Sequence, residues 1–390
     1  MKIVIGTESF APSISGVAIT TEVMASGLSK LGYQVYVFAP DHPQADDRNY
    51  NFKVIRFRSK PNPFRQGFMV AKSPSKEVLK HVLKIKPNLI HLQDPTNIGT
   101  GLLKASQKYK IPIVISNHFS LDYIVSYVNW LKPLHSLMKF GLRKYLARYY
   151  NLCDWVICPT ETVKKDLVSW GVKKPVEAIS NGVDLERFYS WSDLKDLYLK
   201  YHLPQNPIVL YVGRIDQDKN LEVLIRAIPE VLKKINAHFV VAGSGKDLVK
   251  IKKLTQDLKI DQQISFLGLV DHHSEDLPQL YQVSEVFVIP SPHETQSMVV
   301  MEAMASGLPI IGPDSGALPE LIKNGQNGFL FEPADSVDLA TKIIKILQDK
   351  DLRNKMKINS LKMISSHQYQ ESIKKIKRIY EKVLASHQAK

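Results

Sequence analysis

Two carboxylates lie eight residues apart around the predicted start of a helix. Glu294 follows the apolar run Val286–Ile289, which predicts a buried parallel strand, and Glu302 lies within the helix expected after it. Thr295 and Ser297 are both of residue types that cap helices. The N–H groups and the positive dipole end of such a helix suit a phosphate, and carboxylates on either side can accept hydrogen bonds from sugar hydroxyls. The spacing therefore predicts a site for a nucleotide sugar.

Two cations follow a second predicted strand, Ile208–Val212. Arg214 can hold a diphosphate through bidentate contacts, and Lys219 adds a point charge at the start of the next helix. Together they would neutralise a leaving nucleotide. Asp216 and Asp218 form an Asp-x-Asp pattern that could hold a metal ion, but the pattern lies between the two cations, so we predict no metal site.

Glycine and histidine residues also stand just after predicted strands, where open α/β sheets bind their ligands. These residues are Gly16, His118, Gly243 and Gly245. The loop that contains Gly16 lacks the full three-glycine dinucleotide fingerprint, so an NAD site is not predicted. If two sheets face each other by these edges, Gly16, His118, Arg214, Gly243 and Glu294 line one cleft.

The elements that must position these residues alternate between strand and helix. With 390 residues, 44% hydrophobic and 23% charged, the chain is long enough for two globular domains. The alternation predicts an α/β protein with doubly wound parallel sheets. We predict domains at residues 1–184 and 207–366, a linker at 185–206 and a final helix in 367–390. The linker is placed where the chain becomes polar and aromatic after the turn at Asn181-Gly182.

A net charge of +14 indicates a polyanionic partner. The chain lacks zinc-ligand spacing, the aromatic signature of RNA-recognition motifs and a basic helix with heptads, so we predict no nucleic-acid partner. The basic segment, residues 53–86, interleaves basic residues with aromatic side chains expected to be exposed, such as Phe57, and this pattern suits an anionic membrane surface. A solvated charged face is the alternative. The residues predicted to contact the membrane or the acceptor are Arg56, Arg58, Lys60, Phe64, Arg65 and Phe68.

A second candidate surface lies at residues 127–150. Its apolar residues recur at helical spacing, and they are Leu134, Met138, Leu142, Tyr145 and Tyr149. We favour a core helix with a basic rim, because the strand expected at Trp155 needs cover, but a helix lying on lipid is the alternative. The sequence leaves open which surface would contact a membrane: residues 53–86, residues 127–150 or both.

The start of the chain, its apolar runs and its cysteines predict a cytoplasmic protein. The first predicted strand starts at Lys2, which leaves no room for a signal peptide, and no apolar run approaches membrane-spanning length. Cys153 and Cys158 show no metal-ligand spacing, so we predict buried, reduced thiols.

The pattern Glu294-x7-Glu302, followed by Ala-Met-Ala-Ser-Gly-Leu-Pro, resembles the donor-site signature of retaining glycosyltransferases in the large family numbered four. The family usually has glycine where this chain has Ser297. The resemblance runs from Gly16 to Glu302, and it implies the GT-B fold, in which two Rossmann-like doubly wound parallel-sheet domains face each other across a cleft. It also implies that the last helix, within 367–390, packs back on the first domain.

The resemblance implies roles for the site residues. Glu294 would hold hydroxyls of the donor sugar, Glu302 the ribose, and His118 the transferred sugar, while Arg214 and Lys219 would bind the diphosphate. Residues implied to complete the donor site are Gly16, Gly243, Gly245, Val270, Thr295, Gln296, Ser297 and Met298.

The resemblance extends to members that glycosylate diacylglycerol or phosphatidylinositol. It therefore implies transfer of a hexose, with UDP-glucose favoured as donor, to a membrane lipid such as diacylglycerol on the inner face of the cell membrane. No cofactor beyond the nucleotide sugar is expected. A GDP-mannose-dependent mannosyltransferase, an enzyme that builds polysaccharide on a soluble acceptor, and a relative that binds or epimerises a nucleotide sugar without transfer are the alternatives.

Overall fold

The computed structural model describes residues 1–63, 65, 67–126, 133–189 and 194–388. The chain divides into two compact units. Unit 1 contains Met1–Asn181 and the last helix, Tyr369–Gln388, and unit 2 contains Gly182–Gln368.

The strands of unit 1 are β1 (Lys2–Gly6), β2 (Gln34–Pro40), β3 (Lys53–Phe57), β4 (Ser59–Pro61), β5 (Met69–Ala71), β6 (Leu89–Leu92), β7 (Ile113–Ser116), β8 (Trp155–Cys158) and β9 (Val176–Ala178). Within the described residues, seven of them form one parallel sheet in the order β3-β2-β1-β6-β7-β8-β9, and β4 and β5 form an antiparallel hairpin. Ile3, Val4 and Ile5 of β1 are fully buried, as expected of a central parallel strand covered on both faces, and Ile3 lies between Val35 of β2 and Leu89 of β6.

The helices of unit 1 are α1 (Gly16–Lys30), α2 (Ser75–Ile85), α3 (Asn97–Tyr109), α4 (Leu121–Ser126), α5 (His135–Tyr150) and α6 (Glu161–Ser169), together with the last helix of the chain. A buried chain of polar atoms ties that last helix to the sheet. The hydroxyl of Tyr380 lies 2.6 Å from Nδ1 of His91 on β6, and Nε2 of His91 lies 2.8 Å from the hydroxyl of Ser116 on β7. Gly27 on α1 gives the helix room, because a Cβ at this position would meet Ile373 at 2.9 Å.

Unit 2 contains the helices α7 (Leu185–Tyr189), α8 (Lys195–Lys200), α9 (Leu221–Leu232), α10 (Leu248–Asp257), α11 (Asp276–Gln282), α12 (Met298–Ala305), α13 (Leu318–Leu321), α14 (Ser336–Gln348) and α15 (Lys350–Ile364), so the last helix of the chain is α16. Its strands are β10 (Ile208–Val212), β11 (His238–Ala242), β12 (Ile264–Gly268), β13 (Val286–Val288), β14 (Ile310–Pro313) and β15 (Gly328–Phe331). In the part of the chain that the structure describes, these six strands form one parallel sheet in the order β12-β11-β10-β13-β14-β15.

Residues 185–206, predicted to be a linker, instead fold into unit 2. Phe188 on α7, Leu197 on α8 and Leu203 are buried in its core. Part of this polar stretch forms two short helices, which bury Phe188 and Leu197 and leave polar residues at the surface. Residues 190–193 of this stretch lie outside the described residues.

Two further features concern the cysteines and the helices. Cys153 and Cys158 are buried free thiols, as predicted. Among the described helices, none combines the length and the apolar character needed to cross a bilayer.

Candidate functional site

The strand order of each sheet predicts where a ligand binds. The order reverses between β1 and β6 in unit 1 and between β10 and β13 in unit 2. In open α/β sheets, the crevice outside the carboxyl ends of the strands at such a point holds the ligand. The loop after β10 contains Arg214 and Lys219, and the loop after β13 contains Glu294.

The structure brings these predicted residues together within unit 2. Nζ of Lys219 lies 2.6 Å from Oε1 of Glu294, and both side chains are largely buried. Burial alone would raise the pKa of Glu294, but the ion pair with Lys219 and the nearby Arg214 outweigh it and hold the pKa below its ordinary value. Glu294 is therefore an anionic hydrogen-bond acceptor at neutral pH.

Arg214 is held between two aspartates of its own loop. Its guanidinium donates to Asp216, and Nη2 lies 2.7 Å from Oδ2 of Asp218. The hydroxyl of Tyr211 donates to the carbonyl oxygen of Arg214 at 2.6 Å, which fixes the backbone at this position. The Asp-x-Asp pattern of the sequence thus serves here to orient the guanidinium.

Gly243 and Gly245 let the loop after β11 approach the loop after β10. A Cβ on Gly243 would collide with the carbonyl oxygen of Gly213, and a Cβ on Gly245 would collide with that of Ile215. The two loops are joined by hydrogen bonds, including Ile215 N–H to Ser244 O at 2.9 Å. The two glycines therefore support the loop of Arg214.

The predicted phosphate site at the start of α12 has an unusual residue. Ser297 precedes the helix with φ 78° and ψ 99°, a conformation that favours glycine, and its hydroxyl makes no capping hydrogen bond. That hydroxyl is buried and has no partner within the described residues. The expectation that Ser297 caps the helix through its side chain is wrong. Gln296 is buried beside it, and Thr295 and Met298 are half-buried.

Glu302 lies inside α12, and its carboxylate is occupied by two unit 2 side chains. It accepts from the hydroxyl of Tyr281 at 2.9 Å and from Nε2 of His272 at 3.1 Å. The guanidinium of Arg187 donates to the carbonyl oxygen of His272 and positions that residue. His272 was missed from the sequence, although it stands in the loop after β12, close to Val270, which is half-buried against the core of unit 2.

In unit 1, His118 follows β7 as predicted and is held by a residue that follows β6. Nε2 of His118 lies 2.8 Å from Oε1 of Gln93, and because this oxygen only accepts, the bond places the imidazole proton on Nε2. Burial lowers the pKa of His118 to about 4, so the ring is neutral at physiological pH.

A second acidic cluster in unit 1 was not predicted. Asp94 accepts from the backbone N–H of Glu8 at 2.7 Å, and the carboxylate of Glu8 accepts from Ala71 N at 3.0 Å and Ile98 N at 3.2 Å. Burial, and then the charge of Asp94, raise the pKa of Glu8 to about 7. Glu8 thus joins the β4–β5 hairpin to the start of α3. Its only sequence signal was its place just after β1.

Gly16 is the first residue of α1, and it is exposed. Ser15 caps this helix, with its hydroxyl accepting from Ala18 N at 3.1 Å, and the hydroxyl of Ser9 lies 2.6 Å from that of Ser15. Both hydroxyls therefore lie at the N-terminus of α1, next to the loop that follows β1.

The basic segment divides into structural and exposed residues. Arg56 is largely buried, bonds to Asp47 at 2.6 Å and donates to the carbonyl oxygens of Pro40 and Ala11. Phe57 and Phe68 are buried, so their expected exposure is wrong. Phe57 is the last residue of β3 and packs in the core of unit 1 beside Phe38, and Phe68 lies under the guanidinium of Arg65. Arg58 and Lys60 are exposed.

Arg65 and Phe64 were also predicted to contact the membrane or the acceptor. Arg65 is half-buried, with its guanidinium 3.6 Å from the centre of the Phe68 ring. The guanidinium of Arg65 therefore packs on the ring of Phe68. Phe64 lies outside the described residues.

Within the described residues, the favoured core packing of 127–150 holds for only part of α5. Leu146, Tyr149 and Tyr150 are buried, whereas Leu134 and Tyr145 of the predicted apolar stripe are exposed. Residues 127–132 lie outside the described residues.

Comparison with known families gives a match to each half of the chain. Residues 14–187 match the family described as Glycosyltransferase Family 4, and residues 200–363 match the family described as Glycosyl transferases group 1. Together the two matches span the loops that contain the candidate site residues of both units.

Individual relatives agree with these matches. The chain is 30% identical over 336 residues to the sulfoquinovosyl transferase SQD2 of Arabidopsis thaliana, an alignment that covers 84% of this chain and 62% of that protein. It is 27% identical over 373 residues to an alpha-monoglucosyldiacylglycerol synthase of Acholeplasma laidlawii, with 92% of each covered.

A solved structure shows the same fold. Sucrose-phosphate synthase from Thermosynechococcus elongatus superposes with a TM-score of 0.83 at 22% identity, covering 99% of this chain and 100% of that one. Both units have the Rossmann-like parallel sheet of GT-B enzymes. With its fold, its family matches and its relatives in agreement, the chain belongs to the family-four type of GT-B glycosyltransferases.

Proposed function

We propose that this glycosyltransferase moves a hexose from a nucleotide-diphosphate sugar, with UDP-glucose favoured, to a membrane lipid such as diacylglycerol, with retention of the anomeric configuration. The observation that carries the proposal is the grouping of Arg214, Lys219 and Glu294 at the switch point of the unit 2 sheet. Two cations and one carboxylate at that edge match a ligand that joins a diphosphate to a sugar.

The cations would stabilise the departing diphosphate. Arg214 would bind two phosphate oxygens and Lys219 a third, and the negative charge that develops as the glycosidic bond breaks would be neutralised there. These side chains would supply the positive charge that a divalent metal supplies in other transferases, so we propose metal-independent transfer without a cofactor.

The carboxylates now paired with the cations would compete with the donor. Asp216 and Asp218 contact Arg214, and Glu294 contacts Lys219. These pairings balance the cations before a donor binds. On donor binding, Glu294 would turn from Lys219 toward the sugar hydroxyls as the diphosphate takes its place.

Other residues would complete the donor site. Glu302 would hold the ribose hydroxyls, and the backbone near Val270 would hold the base. The start of α12, from Thr295 to Met298, would contact the diphosphate through its N–H groups.

In unit 1, neutral His118 would bind hydroxyls of the transferred sugar, and Gly16 would let the backbone approach it. The acceptor hydroxyl would attack on the face from which the diphosphate leaves, its proton passing to the departing phosphate as the new glycosidic bond forms. This route needs no carboxylate base.

Support for a lipid acceptor comes from two sides. The relative from Acholeplasma laidlawii is named as a synthase of a glucosylated diacylglycerol, which is a glycolipid. The net charge of +14 and the exposed Arg58 and Lys60 suit an anionic surface. We therefore propose a peripheral enzyme on the inner face of the cell membrane.

A transfer assay tests the proposal. The purified full chain is incubated with diacylglycerol in detergent micelles and with UDP-glucose, UDP-galactose or GDP-mannose in turn, and the product is analysed by mass spectrometry and by NMR of the anomeric proton. We expect an α-hexosyl lipid from an α-linked donor, with UDP-glucose the best donor. No transfer to diacylglycerol from any of the three donors would contradict the acceptor, and a product of inverted configuration would contradict the stereochemistry.

A further inference from the structure

Leu134, which directly precedes α5, and three residues of α5 present large apolar side chains to solvent. Leu134, Leu137, Phe140 and Tyr145 have exposed fractions of 48%, 68%, 52% and 53%. Single exposed apolar residues are common, but a group of four on one short stretch marks an interaction site. Together with Lys144 and Arg148 of the same helix, they are named here the α5 face.

The charges on this helix have one sign. Helix α5 contains four basic residues and no acidic one, and Lys144 and Arg148 are exposed. Nζ of Lys144 lies 4.4 Å from the centre of the Phe140 ring, so a cation stands directly beside an exposed apolar group. Asp122 lies next to the helix and is paired with Lys139.

The two kinds of side chain occupy one exposed surface. Leu137, Lys144 and Arg148 are spaced seven and four residues apart, which places them on one side of the helix, and Phe140 is one turn from both Leu137 and Lys144. The opposite side, with Leu146, Tyr149 and Tyr150, is buried in unit 1. The helix is thus anchored by its second half and exposes apolar residues from its first.

We propose that the α5 face docks on an anionic lipid bilayer, with Leu134, Leu137 and Phe140 inserted among the acyl chains and Lys144 and Arg148 at the phosphate headgroups. Apolar residues bordered by cations are the chemistry of an interfacial helix, whereas an acidic protein partner would leave the apolar group unmatched. This inference rests on the proposed lipid acceptor and adds the element that would hold the enzyme at its substrate.

Vesicle flotation with paired variants tests the docking surface. The full chain is mixed with vesicles of phosphatidylcholine alone or of an equimolar mixture with phosphatidylglycerol. The double variant Leu137→Ala, Phe140→Ala is compared with the matched variant Leu199→Ala, Ile358→Ala, which truncates two other exposed helical residues, 73% and 65% exposed. Because both sets of side chains are exposed, both variants should fold.

We expect the wild type and the matched control to bind the anionic vesicles, and the α5 variant to bind at least about tenfold more weakly. Transfer to diacylglycerol in detergent should be the same for all three. Equal vesicle binding by the α5 variant, or no binding by the wild type, would overturn the docking surface. A change in oligomeric state alone would overturn it too and assign the face to a second copy of the chain.

The detergent assay separates the two proposals. Loss of vesicle binding in the α5 variant, without lipid transfer by any variant, supports the docking surface and contradicts the proposed function. Lipid transfer in detergent together with unchanged vesicle binding by the α5 variant supports the proposed function and contradicts the docking surface.

Discussion

Ser297 combines backbone strain with an unsatisfied polar group at the start of α12. Its φ of 78° is in the region that L-residues rarely adopt, and its hydroxyl is buried without a partner in the part of the chain described. Such a residue persists where the surrounding structure holds it in place, and this occurs preferentially at functional sites. Here the position is the predicted phosphate site.

We predict that Ser297→Gly raises the free energy of unfolding by about 1 kcal/mol, because the relief of positive-φ strain exceeds the added chain entropy of glycine. Ser297→Ala also removes the unpartnered hydroxyl but keeps the strain, so the glycine variant should be the more stable of the two. Chemical denaturation measures both. Ala334→Gly, at an exposed turn with φ 66°, is a matched control and should stabilise the chain similarly. Destabilisation by Ser297→Gly would contradict the assignment of strain to this position.

The sequence predicted the positions of some residues correctly and of others not. Lys219 and Glu294 were predicted for one ligand, because each follows a strand and such loops share one edge of the sheet. Arg56 was misassigned to the membrane, because its bonds to Asp47 and to two carbonyl oxygens depend on loop packing that no periodic pattern encodes. His272 was missed for the same reason.

At the scale of elements, Glu8 connects two parts of unit 1. Its carboxylate accepts from Ala71 N in β5 and from Ile98 N at the first turn of α3. Glu8 therefore helps to hold the β4–β5 hairpin, which carries Lys60, against the start of α3, together with the side-chain amide of Asn97, which donates to the carbonyl oxygen of Ala71 at 2.8 Å. Because the pKa of Glu8 is raised to about 7, the group is partly protonated at neutral pH, and each of its hydrogen bonds is worth about 1 kcal/mol.

We predict that Glu8→Ala speeds amide hydrogen exchange at Ala71 in β5 and at Ile98 in α3 by about tenfold, because each of these N–H groups loses its acceptor. Exchange in β10 and β13 of unit 2 should not change. Glu77→Ala, at an exposed acid on α2, is the control. Hydrogen-exchange mass spectrometry of peptides that cover β5 is the measurement, and unchanged protection there would mean that the hairpin is held by its packing alone.

The elements were predicted well where apolar runs are long. Strands β1, β7, β10 and β11 read clearly because parallel strands buried on both faces are continuously apolar. The linker was wrong because α7 and α8 are short, and burial of Phe188 and Leu197 depends on contacts distant in sequence. The exposure of the α5 face was hidden because a stripe at helical spacing looks the same on a core helix and on an interfacial one.

For the whole molecule, we propose one task for each unit. Unit 2 would hold the nucleotide sugar with its cations and carboxylates, and unit 1 would contact the transferred sugar through His118 and the membrane through the basic segment and the α5 face. The charge of +14 belongs to this second task, since it attracts the chain to any anionic surface and explains no donor contact.

Titration of UDP-glucose into the full chain by isothermal calorimetry tests the central claim most directly, with Arg214→Ala and the control Arg226→Ala measured beside the wild type. Arg226 is an exposed arginine paired with Glu222 on α9, away from the proposed diphosphate contacts. We predict one donor site per chain, about tenfold or more weaker binding for Arg214→Ala, and no change for Arg226→Ala. Failure to bind any nucleotide-diphosphate sugar, or equal affinity of Arg214→Ala and wild type, would contradict the account.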